Sequence, residues 1–281
     1  MVEVPFWPVA VPHVVRPALR QLAGATVRHD DGWQAAVGGR LARLRCDPDG
    51  VRVRDPADPD DAGLLAALVA ALRVIRVDVP VALDHLPVGV REHLGGLRGW
   101  RRAADLAVLS QPADLVVLRR TAGGAVTAEL LCVALPSGWP PRLRAGADLA
   151  ALHAPVADGK RLVARSAALG AALVGKGPFG LGVWGVQRDD ALAHDPSAAA
   201  GLPAPLPGGR WWLRLERQAT TALPALGRAL FWIRPSLVPV SALSAERRVA
   251  LAAAVRSMSP ESLAYKGLAD GLDAELLAAL C

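Results

Sequence analysis

The residues best suited to chemistry lie in one short run, "RLERQAT" (214–220), and in a partner run, "FWIRPS" (231–236). Read as a strand, the first run alternates. Leu213, Leu215 and Arg217 share one face; Arg214, Glu216 and Gln218 share the other. A carboxylate beside Arg and Gln in an apolar strand is equipped to hold a cation. Read the same way, the second run sends Phe231 and Ile233 to one side and Trp232 and Arg234 to the other. Arg234 stands just before Pro235, where the ladder is expected to stop because proline has no N–H. An Arg there has two roles open to it. It pairs with an anion, such as a propionate or a substrate carboxylate, or it sits solvated on an edge strand.

His153 lies in "ALHAPV" (151–156), at the end of an apolar helical turn and two residues before Pro155. It too has two roles open. It is a half-buried imidazole closing a helix, or an axial ligand to haem iron whose other nitrogen is held by a hydrogen bond. The other histidines are His13, His29, His85, His93 and His194, and no two of the six stand at i,i+2 or i,i+4. Local spacing therefore gives no mononuclear histidine site. There is no GxGxxG, no GxxxxGK[ST], no HExxH and no GxSxG, so phosphate cradles and zinc hydrolases have no support. The cysteines Cys46, Cys132 and Cys281 form neither a disulfide framework nor a CxxC pair. Cys132, inside "ELLCVAL", reads as a buried small hydrophobe.

The elements that must position these residues follow from pattern. A chain of 281 residues that is 52% hydrophobic folds, as one large domain or two small ones. The net charge of +6 is spread along the chain, and only Lys160, Lys176 and Lys266 are lysines, so the excess is an arginine bias and no nucleic-acid partner is expected. "AGLLAALVAALRVIRV" is too short and interrupted to span a bilayer, and no leader pattern is evident. A soluble cytoplasmic protein without a membrane partner is expected. "QAAVGGRLARLRCDPDGVRVRD" reads as two short strands around an Asp-Pro-Asp-Gly turn. Residues 61–79 read as a helix capped by Asp60 or Asp61, and helical character continues to about 109 with a break at Gly95 and Gly96. From 112 to 240 the order is two strands turning at Gly123 and Gly124, short helices, then three strands. Helices follow from Ser244, with a break at Pro260. The expectation is α+β: over 112–240 a compact antiparallel sheet with helices on one side, joined by an N-terminal extension and C-terminal helices. The expected divisions are 1–110, an N-terminal irregular and helical region packed on the core; 111–243, the core; and 244–281, a helical end.

"LRLERQATTALPALGRALFWIRPSLVPV" resembles the signature of the haem-dependent oxidative N-demethylase alpha-subunit-like family. That signature reads Arg-x-Glu-Arg-Gln-Thr-Leu-x-x-Leu-Pro, then an apolar strand ending Ile-Arg-Thr-Tyr. Three further stretches agree in order. "ELLCVALPSGWPPRLRAG" resembles the family's Pro-Ser-x-Trp strand end, "LAALHAPVADG" its Ile-His-Ala-Pro-Val-Pro, and "MSPESLAYKGL" its Tyr-Lys-Gly-Leu. Together they run from Glu129 to Leu268. The resemblance implies a PAS-like fold that binds haem b. It implies oxidation of a small amine with O2, and electrons from a separate flavin and iron–sulfur reductase. It implies His153 as the iron ligand, with Arg234 and Trp184 beside the haem, and Glu216, Arg217 and Gln218 as the catalytic polar set. The chain also departs from the pattern. "VWGVQRDD" carries Gly185 and Gln187 where the family has Arg and Asn. Ala219-Thr220 stands for Thr-Leu, and Pro235-Ser236 for Thr-Tyr. The family's N-terminal Met-Gly-Leu-x-Pro-Leu is not evident. These departures keep two other classes open: a haem-binding sensor module without turnover, and a scaffold subunit that has lost the cofactor.

Overall fold

The computed structural model describes residues 6–15, 19–23, 33–76, 86–195 and 210–280. His29, His85, Cys281 and residues 77–79 of the expected first helix lie outside them. Among the described residues, seven strands form one antiparallel sheet. They are β1 (Arg20–Gln21), β2 (Arg52–Arg54), β3 (Asp114–Arg120), β4 (Val126–Cys132), β5 (Phe179–Gln187), β6 (Trp212–Leu223) and β7 (Arg228–Pro239). Their order across the sheet is β1-β5-β6-β7-β3-β4-β2. The fold is α+β. No helix among the described residues is long and apolar enough to cross a membrane.

Helices cover both faces of the sheet. Before the core strands come α1 (Trp33–Cys46), α2 (Pro48–Val51), α3 (Asp61–Arg76), α4 (Val88–Gly95) and α5 (Gly99–Leu109). Leu64 and Leu68 of α3, Leu94 of α4 and Ala104 and Val108 of α5 bury against Leu115, Val117, Leu130 and Trp232. These helices precede the 112–240 core and carry apolar stripes of their own, which need a sheet face to cover. The opposite face receives α6 (Leu149–His153), α7 (Lys160–Ala164) and α8 (Ser166–Gly175), which follow β4. Leu149, Leu173 and Val174 pack there on Val116, Leu118, Ala128 and Ala229. Gly170 permits that approach, since a Cβ there would lie 2.9 Å from Val126 Cβ. At the C-terminus, α9 (Ala245–Arg256), α10 (Pro260–Tyr265) and α11 (Leu272–Leu280) follow, and Leu251, Val255 and Leu276 cluster with Trp184, Leu213 and Leu215. Ser244 caps α9 as expected, accepting from the Arg247 N–H at 3.3 Å.

Two expectations are corrected. The stretch read as a first strand is α1. Val37, Arg40 and Leu44 bury at helical spacing, while Gly38 and Gly39 face open space. Arg40 is the reason this was illegible. It is fully buried, donating to Asp114 Oδ1 (2.8 Å), Ala113 O (3.1 Å) and Pro112 O (3.0 Å). A charged residue scores as solvated in any pattern reading, yet here it marks the inner face. The ladder also does not stop at Pro235. It runs on, pairing Glu216 with Pro235 and Trp212 with Pro239. On its other side β7 pairs with β3 only as far as Ile233 opposite Asp114. Beyond that point no strand among the described residues pairs with that side of β7, a setting in which a sheet tolerates proline.

Candidate functional site

Asp148 caps α6, accepting from the Ala151 N–H at 2.7 Å, and the five-residue helix ends on His153. His153 Nδ1 lies 2.6 Å from Leu149 O. A carbonyl only accepts, so Nδ1 carries the hydrogen and the neutral ring keeps its lone pair on Nε2. Burial lowers the pKa of this half-buried imidazole, opposed by the Leu149 carbonyl. Its neutral form is the one that ligates a metal.

Register settles which strand residues share a face with α6. Gln218 pairs with Ile233 and Leu181, Glu216 with Pro235 and Val183, and Arg214 with Leu237 and Gly185. Phe231 and Ile233 pack in the same apolar cluster as Leu149 and Leu152 of α6. Glu216 and Gln218 therefore stand on the sheet face that α6 covers. Arg214 Nε donates to Glu216 Oε1 at 3.1 Å, and Gln218 Nε2 approaches Oε2 at 3.4 Å. Arg214 is itself buried and fixed, donating to Leu192 O (2.6 Å) and Leu135 O (2.9 Å). On the same face Leu181, Phe231 and Ile233 are half-buried, Val183 is exposed, and a Cβ on Gly185 would meet nothing within 4 Å. The result is an oriented carboxylate beside apolar side chains and open space.

Arg217, Arg234 and Trp184 stand on the other face. Arg217 and Arg234 are direct cross-strand partners, and Trp184 pairs with Leu215. The Arg217 guanidinium lies 5.1 Å from the Phe6 ring centroid. Burial lowers the pKa of Arg234. Trp184 is buried, with Lys266 Nζ 4.5 Å from its ring centroid and His13 edge-on at 5.7 Å. The six candidate residues thus fall into two groups. His153, Glu216 and Gln218 share one face; Arg217, Arg234 and Trp184 share the opposite one.

Four residues of this neighbourhood had no role assigned from sequence. Arg214 orients Glu216. Tyr265 has its phenol pKa raised by burial and then by the Glu216 charge, with Arg144 opposing. Lys266 is pushed down to about 8 by burial, with Glu216 opposing. Asp158, at φ 56°, accepts from Ser259 Oγ (2.7 Å) and Ser262 Oγ (2.8 Å), which ties the loop after His153 to the start of α10. The Tyr-Lys-Gly match carried a signal for Tyr265 and Lys266. Nothing local marks Asp158.

The residues on the α6 face fit a haem group. One neutral imidazole offers an oriented Nε2, apolar side chains supply a wall, and Gly185 leaves room. Among the described residues no group of three or more His, Cys, Asp or Glu is placed to hold a metal ion. The family model described as haem-dependent oxidative N-demethylase, alpha subunit-like, matches residues 100–274. No curated protein matches the chain.

Proposed function

Because the chain belongs to the haem-dependent oxidative N-demethylase alpha-subunit-like family, we propose that it is the haem-binding subunit of an oxygenase that oxidises a small amine with O2. The observation that carries this reading is one shared face holding His153, its Nε2 left as an acceptor, and Glu216, clamped by Arg214 and Gln218. His153 would hold the iron, with Leu149 O fixing the ring. Bound haem b supplies the electron and O2 chemistry that removes hydrogen from the carbon next to nitrogen.

The chain's own residues bind and orient. Glu216 takes the protonated amine as its counter-ion. Arg214 and Gln218 hold the carboxylate in place before the substrate arrives, which lowers the cost of ordering it. Leu181, Phe231 and Ile233 keep water from the pair, and Coulomb attraction strengthens as the local dielectric falls. Tyr265 keeps its proton and can donate a hydrogen bond near Glu216. Arg217, Arg234 and Trp184 support the strands from the far face. The products are an aldehyde and a shorter amine.

The family description speaks of an alpha subunit, which supports partner subunits; a separate flavin and iron–sulfur reductase would supply the electrons. The PAS-like label is part of this proposal. Its support is the core of five antiparallel strands, β3 to β7, with α6, α7 and α8 crossing between the second and third. A cytoplasmic setting is supported by free thiols at Cys46 and Cys132.

The test is the absorption spectrum of protein produced with a haem supply, beside a His153→Ala variant. A Soret band that shifts or vanishes in the variant supports haem held by His153. An unchanged band moves the iron ligand elsewhere. No band after haem titration ends the haem reading and leaves a scaffold. Haem without amine loss, given O2 and a reductant, leaves a sensor module.

A further inference from the structure

Strand β5 ends at Gln187, and residues 188–195 follow it with no helix or strand, only one isolated bridge at His194. Such a segment has no ladder to fix it, so its side chains must. The Gln187 amide nitrogen lies 2.9 Å from Asp189 O and 2.7 Å from Ala191 O. Asp189 Oδ1 accepts from the Ala191 N–H at 2.9 Å. His194 Nε2 lies 3.0 and 3.1 Å from the two Asp189 oxygens. A carboxylate only accepts, so this nitrogen carries the hydrogen.

The main chain of His194 is engaged elsewhere. Its N–H donates to Pro136 O at 2.8 Å, and its carbonyl accepts from the Gly138 N–H at 2.8 Å, around a parallel bridge with Ser137. His194 therefore fastens two segments to each other, the loop after β5 by its ring and the segment after β4 by its backbone. Those two segments carry the carbonyls that seat Arg214. Leu192 O takes one terminal nitrogen at 2.6 Å, and Leu135 O takes the other at 2.9 Å. The Arg214 Nε–H is left to donate to Glu216 Oε1 at 3.1 Å. A guanidinium is a rigid plane, so holding both terminal nitrogens fixes the direction of Nε–H. With either carbonyl withdrawn, the plane can turn and a buried charge loses an acceptor.

We propose that Gln187, Asp189 and His194 are positioning residues of the candidate site: they lock the loop after β5 so that Leu192 and Leu135 seat Arg214, and Arg214 aims at Glu216. All three act on Glu216 through Arg214. Gln187, a departure from the family pattern, thereby has a use. The proposal rests on the amine-oxidation reading only for the use made of Glu216; the seat itself needs neither haem nor amine.

The test uses the full chain without haem, labelled with 15N at arginine Nε, and follows exchange of the Nε hydrogens with water by NMR. Loss of one signal in Arg214→Lys assigns Arg214. Should that variant not fold, the signal that Glu216→Gln shifts assigns it. Arg228, whose Nε donates to Glu129 Oε2 at 2.7 Å, is the internal reference, assigned in Arg228→Lys. In His194→Ala the Arg214 hydrogen should exchange about tenfold faster or more, the worth of one charge-assisted hydrogen bond, with Arg228 unchanged. His194→Gln, whose amide can donate to Asp189 in place of Nε2, should restore the slow rate. Gln187→Ala should repeat the acceleration, and it carries the test if His194→Ala does not fold. An Arg214 rate left unmoved in either alanine variant overturns the proposal. So does a rise shared equally by Arg228, which marks a general loss of stability, and so does His194→Gln behaving as His194→Ala. A missing Soret band, or haem bound without amine loss, touches none of these readings, so the two ideas fail separately.

Discussion

His153 owes its candidacy to a carbonyl four residues back, which decides which ring nitrogen is left to bind. Glu216 owes its own to two donors, one on each oxygen. Replacing it by Gln keeps the shape and removes the charge. Affinity for a small methylated ammonium ion is expected to fall about tenfold or more, the worth of one charge-assisted contact of roughly 1.5–3 kcal/mol, as read by calorimetric titration. Lys266 gives a signed prediction in pH. Burial pushes its pKa down to about 8 from the ordinary lysine value of 10.5. Between those values the unfolded chain binds more protons than the folded one, so stability rises with pH across that window. Below about pH 8 the buried charge opposes folding by up to about 3 kcal/mol. Lys266→Met should abolish this rise, seen as urea midpoints of the two proteins that diverge between pH 8 and 10.

At the scale of elements, the junctions between helices and sheet are polar. Arg228 of β7 donates to both oxygens of Glu129 on β4, at 2.7 and 2.8 Å, and to Asp60 at 2.8 Å. Asp60 in turn caps α3 through the Gly63 N–H at 2.9 Å. Those two carboxylates push the Arg228 guanidinium further toward its charged form. Arg228→Met leaves Glu129 buried without its cation and should cost about 3 kcal/mol in urea unfolding. Asp158 is the corresponding latch on the other side of the molecule. Its carboxyl is held below the usual range, first by Ser259 and then by Ser262. A depressed carboxylate contributes stability above its unfolded value and loses it as pH falls through the folded one. Asp158→Ala should therefore speed amide exchange in both segments it joins, 149–158 and 259–266. The difference from the parent should vanish in acid.

At the scale of the whole molecule, the first ninety-nine residues lie outside the family match yet supply one wall of the core. Leu64, Leu68 and Leu94 cover Leu115, Val117, Leu130 and Trp232, and β2 pairs with β4 through Arg52, Val53 and Arg54. A fragment beginning at residue 100 would expose that face to water. It is expected to aggregate or to lack near-ultraviolet circular dichroism, whereas the full chain shows fixed aromatic signals. Trp232, only 1% exposed, reports on the same wall, and Trp232→Ala should cost about 3–5 kcal/mol in chemical unfolding.

The sequence by itself determined what is periodic and local. The alternation of Leu213 to Gln218, the Gly123-Gly124 hairpin, the Asp60 and Ser244 caps and the breaks at Gly95 and Pro260 are set by backbone chemistry within a few residues. The shared face of Glu216 and Ile233 was also within reach, because period two fixes sides once the register is known. Only the tertiary structure decided the rest. It turned "QAAVGGRLARLRC" into a helix, because Arg40 found buried acceptors seventy residues away. It let β7 run through Pro235, because β3 ends beside it. It put Arg217, Arg234 and Trp184 across the sheet from His153, and it brought Lys266 to Trp184. Each of these depends on which distant segment arrives to satisfy a charge or a hydrogen bond, and no window of neighbouring residues carries that information.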